Sequence, residues 1–126
     1  MIKNDLVILA VDDNLFNLKL LRSILKKSIN AKEIIEVENG IDAMDVLKSR
    51  DDLDLILLDV FMPVMGGIEL LKILQNEPNI QHVPTIVLST DETQKSEVLT
   101  LGADDFLMKP IKKDDLIKKI YKLLDN

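Results

Sequence analysis

The chain has 126 residues and no cysteine, enough length to bury about two thirds of the surface its unfolded form exposes, so neither a disulfide nor a structural zinc site is needed to fold it. Its formal charge of −6 argues against nonspecific nucleic-acid binding, which depends on basic patches. No apolar run approaches the roughly 18 residues of a membrane helix, and the first apolar run starts too near Met1 for a signal peptide; the expectation is a soluble, cytoplasmic protein with no nucleic-acid or membrane partner.

The run Leu6–Val11 predicts a first strand and ends on Asp12-Asp13. Leu15, Leu18, Leu21, Ile24 and Leu25 then recur at helical spacing over residues 14–27, with Asp13 or Asn14 as the N-cap. A short strand is expected at Glu33–Val37, followed by a helix from Gly40 to Lys48 with Ile41, Met44 and Leu47 on one face. Leu53–Leu58 predicts a central strand apolar on both faces, as a strand covered by helices on both sides should be, and it runs into Asp59. Gly66-Gly67 turns the chain into a helix carrying Ile68, Leu71 and Leu74.

Pro84–Leu88 predicts a fourth strand, which runs into Ser89-Thr90. The helix over 93–101 is closed by Gly102 and has only Val98, Leu99 and Leu101 to bury, so it should be loosely held. Asp105–Met108 predicts a fifth strand, followed by Lys109-Pro110. A last helix over 112–124 buries Leu116, Ile117, Ile120, Leu123 and Leu124. Its paired lysines, Lys112-Lys113 and Lys118-Lys119, are interleaved with acids and read as a solvated face.

Strand–helix alternation with short connections implies an α/β fold, a doubly wound parallel sheet of five strands with five helices on its two faces, forming one domain over 1–126. If the strands ending at Asp12, Asp59, Ser89 and Lys109 are neighbours, their ends share the edge where open α/β sheets place ligands. Three carboxylates, a hydroxyl and an ammonium then converge. Taken singly, Asp12-Asp13 reads equally well as a helix cap, while Ser89-Thr90 reads more readily as a turn and Lys109 as a surface lysine. Their repeated placement at strand ends favours a site.

Carboxylates and water suit Mg²⁺, with Mn²⁺ as an alternative. A strand-end carboxylate can attack phosphorus and form an aspartyl-phosphate. Such an attack needs charge cancellation on the transferring group, which a cation, Lys109 and Ser89 can supply. The X-Pro bond after Lys109 can adopt the cis form at small cost and so aim the ammonium inward.

Asp12-Asp13-Asn14, Leu58-Asp59 with Met62-Pro63 and Gly66-Gly67, Ser89, and Lys109-Pro110 together resemble a response regulator receiver domain. The resemblance spans essentially the whole chain. It implies the flavodoxin-like strand order 2-1-3-4-5 and a phosphoryl group accepted by Asp59 from a phosphohistidine on a histidine kinase or histidine phosphotransfer protein. It also implies that Asp12, Asp13, Asp59 and the Phe61 backbone carbonyl hold Mg²⁺. Ser89 would contact the phosphoryl group, Lys109 would pair with it, and Phe106 would be the switch aromatic, turning inward as the hydroxyl moves. The face built by the fourth helix, the fifth strand and the last helix would carry the switch to a downstream partner, which the sequence does not identify. The family often has tyrosine where Phe106 stands and a more polar residue where Phe61 stands.

Phe16 and Leu20 lie four apart, off the main stripe of the first helix. They read either as a docking patch for a helical phosphodonor or as peripheral packing. Three rival readings are a haloacid-dehalogenase-type phosphatase, a flavin-binding module of similar fold, and a degenerate receiver that is only a binding scaffold. The phosphatase wants an acid at position 61 and a cap domain. The flavin module wants hydroxyls and glycines where Asp12, Asp13 and Asn14 stand, and the scaffold reading sits poorly with a complete acid set.

Overall fold

The computed structural model describes residues 4–125; the extreme ends of the expected 1–126 unit lie outside the described residues. Strands β1 (Val7–Val11), β2 (Glu33–Val37), β3 (Leu55–Asp59), β4 (Thr85–Ser89) and β5 (Asp105–Met108) form one parallel sheet in the order β2-β1-β3-β4-β5. Helices α1 (Leu15–Ile24), α2 (Gly40–Ser49), α3 (Gly67–Gln75), α4 (Lys95–Thr100) and α5 (Lys113–Leu124) connect and follow the strands. The expected fold class and strand order hold.

Side chains alternate across a strand, and the sheet buries both faces accordingly. Ile8, Ala10, Leu55, Leu57, Ile86, Leu88 and Leu107 pack with residues of α1 and α5. Leu9, Val11, Ile56, Leu58, Val87 and Phe106 pack with α2, α3 and α4 on the other side. This double burial is why β1, β3 and β4 read as unbroken apolar runs.

Several expected details change. The first helix passes into a π-helical turn, Leu25–Ile29, ended by Asn30 in the left-handed region (φ 57°), so helical backbone runs beyond residue 27. Leu15, placed by its spacing on the buried stripe, is 68% exposed, and Ile41 is also exposed. On α2, Ala43 packs beside Met44 and Leu47; on α3 the fully buried residue is Leu70. The third strand starts at Leu55 rather than Leu53 and takes Asp59 as its last residue. The fourth helix is a 3₁₀ turn, Glu92–Gln94, leading into a six-residue helix whose one buried side chain is Val98. Among the described residues no helix is long and apolar enough to cross a membrane.

Candidate functional site

The C-terminal ends of β1, β3, β4 and β5 meet at one edge of the sheet. Asp12 follows β1, and its N–H donates to the Val37 carbonyl at 3.1 Å, which prolongs the β1–β2 pairing and fixes the backbone there. Its buried carboxylate accepts the Asn14 N–H through Oδ1 (2.9 Å) and the Lys109 ammonium through Oδ2 (3.1 Å). Asn14 is the cap of α1, accepting the Asn17 N–H at 3.0 Å. That leaves Asp13 out of the cap and exposed to water. Asp59 lies buried at the end of β3, with Oδ1 accepting from Lys109 Nζ at 2.9 Å. Lys109 follows β5 and precedes a cis Lys109-Pro110 bond; its N–H donates to the Ser89 carbonyl at 2.8 Å.

Asp12, Asp13 and Asp59 each bring a carboxylate oxygen within 4.8 Å of the others. One ammonium therefore faces three carboxylates. Burial pushes the Asp59 carboxyl above its ordinary range; the Lys109 hydrogen bond pulls it back, and the neighbouring Asp12 charge pushes it further up. Burial also works against a charged Lys109, but its bonds and proximity to Asp59 and Asp12 outweigh this and hold the ammonium above its ordinary value. Lys109 thus stays protonated, and its one positive charge, shared between Asp12 and Asp59, leaves the three-carboxylate cluster net negative. An all-oxygen, charge-deficient donor set suits a hard divalent cation.

The loop after Asp59 is held closely. Gly67 N–H donates to the Val60 carbonyl at 3.0 Å, Gly66 N–H to the Glu69 carboxylate at 2.6 Å, and Gly40 N–H to the Met65 carbonyl at 2.7 Å. A Cβ on Gly67 would run into the Asp59 carbonyl oxygen, so only glycine lets α3 start this close to the strand end. Val64 takes a left-handed conformation (φ 69°), unfavourable for a β-branched residue, and is exposed. Phe61 is 58% exposed beside the acids.

Ser89 ends β4 and is buried, yet its hydroxyl is turned into its own loop. It accepts the Asp91 N–H at 3.0 Å and donates to Gln94 Oε1 at 2.8 Å. The expected convergence therefore holds for the three acids and the ammonium, and the hydroxyl is engaged elsewhere. Phe106 is already buried, in the same core as Val98 and Ala103. Phe16 and Leu20 are 84% and 42% exposed on α1, with Leu15 exposed beside them. Sequence reasoning passed over Gln94, a polar residue in a weak helical pattern. The one available signal was its position five residues beyond a strand-end hydroxyl.

A family model described as the response regulator receiver domain matches residues 8–121. The chain is 35% identical to the two-component response regulator ARR17 of Arabidopsis thaliana, over 98% of this chain and 88% of that one. It superposes with a TM-score of 0.84 on the receiver domain of a sensor histidine kinase from Pseudomonas aeruginosa PAO1 with magnesium in its active-site cleft, at 27% identity over 97% and 99% of the two chains. The same TM-score, 0.84, relates it to the receiver domain of the Saccharomyces cerevisiae response regulator Ssk1, solved with the histidine phosphotransfer protein Ypd1, at 28% identity over 98% and 92%.

Proposed function

The chain belongs to the response regulator receiver domain family, and from that premise we propose that Asp59 accepts a phosphoryl group from a phosphohistidine, the whole chain 1–126 acting as one receiver unit. A carboxylate oxygen of Asp59 attacks phosphorus, the N–P bond breaks, and the histidine nitrogen keeps the electron pair. The chain promotes this transfer onto its own side chain and is a signalling domain rather than a turnover enzyme.

Asp12, Asp13, Asp59 and the Phe61 carbonyl would hold Mg²⁺, with Mn²⁺ as a substitute, and the bound ion would supply charge cancellation on the phosphoryl oxygens. Lys109 would pair with those oxygens, and Ser89 would donate its hydroxyl proton to one of them. Phe106 and α4 then report the change to the face built by α4, β5 and α5. The observation that carries this reading is the Lys109 ammonium set between Asp12 and Asp59 at 3.1 and 2.9 Å, beside a third carboxylate. The rival phosphatase lacks its acid, since the second residue after Asp59 is Phe61.

The donor is a histidine kinase or a histidine phosphotransfer protein, working in the cytoplasm; the yeast complex with Ypd1 supports this class of partner. Phe16 and Leu20 form its docking patch, exposed on the helix that leaves the site. Incubation with acetyl phosphate and Mg²⁺ tests the reading. One base-labile phosphoryl group should appear at Asp59 and vanish in Asp59→Asn, because an amide is a poor nucleophile. Persistent stoichiometric labelling of that variant would sink the assignment.

A further inference from the structure

Ser89 has one hydroxyl proton to give. In this structure Gln94 Oε1 takes it at 2.8 Å, with the Asp91 carbonyl a longer, second acceptor at 3.4 Å, while an oxygen lone pair accepts the Asp91 N–H at 3.0 Å. A phosphoryl group on Asp59 presents only acceptors, so Ser89 reaches it only by donating that same proton. The bond to Gln94 Oε1 and the bond to the phosphoryl group therefore exclude one another, and Gln94 can keep Ser89 only by turning its amide end to end.

We propose that Gln94 is a latch on the switch: its side-chain carbonyl holds the Ser89 proton in the unphosphorylated protein and frees the start of α4 when the phosphoryl group takes that proton. This rests on Asp59 being the phosphoacceptor. Gln94 is the last residue of the 3₁₀ turn and adjoins Lys95, where α4 begins. Among the described residues, its bond to Ser89 is the one side-chain hydrogen bond from Glu92–Thr100 to a strand. Beyond it, Val98 is the one buried side chain of α4, with the adjoining Leu101 partly packed on the same core and Gln75 Nε2 donating to the Thr100 carbonyl at 3.4 Å at the far end. Giving up one hydrogen bond thus removes the side-chain tie between the sheet and the N-terminal end of a weakly packed helix.

The loop does not depend on Gln94 for its shape. Asp91 Oδ1 accepts the Thr93 N–H at 3.0 Å and the Thr93 hydroxyl at 2.6 Å, and Gln94 N–H donates to the Asp91 carbonyl at 3.2 Å. A side-chain change at 94 therefore leaves the turn closed. Gln94 acts through Ser89 and is a positioning residue, setting how much of the phosphoryl-binding energy is spent on breaking an existing bond.

The test uses the full chain, Mg²⁺ and beryllofluoride as the phosphoryl probe, with affinity measured calorimetrically. Gln94→Leu removes the acceptor at similar size and should tighten binding roughly threefold to tenfold, the net worth of one hydrogen bond. In a Ser89→Ala background the same change should leave affinity unaltered, because no proton is left to compete for. The side-chain amide signals of Gln94 in the wild type should shift on saturation. Unchanged or weaker binding by Gln94→Leu, equal tightening in the Ser89→Ala background, or a stationary Gln94 amide overturns the latch. A wild type that neither binds the probe nor accepts label from acetyl phosphate overturns the phosphoacceptor reading, and the latch with it.

Discussion

Lys109 and Asp59 stand fifty residues apart in the chain and meet across 2.9 Å, Nζ to Oδ1, at the edge of the sheet. The same ammonium serves Asp12 at 3.1 Å, so among the described residues it is the one cation paired with the acidic cluster. Lys109→Ala leaves that cluster without a counter-charge. In metal-free buffer it should lose about 2 kcal/mol of stability, less than the ~3–5 kcal/mol of a fully enclosed pair because the cluster opens to water through Asp13. Millimolar Mg²⁺ should recover part of the loss. Urea unfolding with and without Mg²⁺ measures both, and a variant as stable as the wild type without metal would contradict the charge accounting.

Asp59 itself is predicted to cost stability when no cation is bound. Its carboxyl is held above the ordinary range, by burial first and by Asp12 in addition. An acid whose folded pKa exceeds its unfolded one penalises the fold fully above the folded value, and the penalty fades as pH falls through that value toward the ordinary carboxylate range. At neutral pH without metal, Asp59→Asn should therefore melt at or above the wild-type temperature, and the advantage should disappear in acid. At about ten times its dissociation constant Mg²⁺ should stabilise the wild type by roughly 1.4 kcal/mol, and the variant by less. Wild-type melting that ignores millimolar Mg²⁺, or a strongly destabilised Asp59→Asn, would make these acids structural.

Phe16 and Leu20 can be separated from the chemistry by changing the donor. Both side chains are exposed on α1 and make no demand on the core. Leu20→Ala and Phe16→Ala should slow phosphotransfer from a cognate phosphohistidine protein about tenfold, in the range of a ~1.4 kcal/mol contact. Labelling by acetyl phosphate should stay at the wild-type rate. An equal loss with both donors would assign the pair to folding rather than docking.

Gly67 tests whether the backbone behind the acceptor matters. Its missing Cβ is what lets α3 begin against the Asp59 carbonyl. Gly67→Ala should cost about 1–3 kcal/mol by overpacking and slow acetyl phosphate labelling by moving Asp59. Gly102→Ala is the contrast, since an added Cβ there meets nothing within 4 Å and its strain (φ 109°) is far from the acids along the chain. A labelling defect shared equally by the two variants would show that global destabilisation, not the local backbone, is responsible.

The sequence alone determined the strands, their alternation with helices and the chemistry of their ends. The strands are legible in Leu6–Val11, Leu55–Leu58 and Ile86–Leu88 because a strand buried on both faces leaves an apolar run, a local signal. Asp12, Asp59, Ser89 and Lys109 are legible because each follows or closes such a run, and parallel strands deliver their ends to one edge. The same reasoning misplaced Leu15, since helical spacing gives a stripe without saying where a ten-residue helix overhangs the sheet.

Only the tertiary structure decided how the groups at that edge are shared. That Lys109 divides itself between Asp12 and Asp59, that Asp13 is left to the solvent and Asn14 caps α1, and that Ser89 gives its proton to Gln94 are outcomes of side-chain orientation. Each depends on angles set by elements distant in the chain and on competition for a limited number of donors. Periodicity records which residues arrive at a place; it carries no information about which of two acceptors, both within reach, receives a single proton.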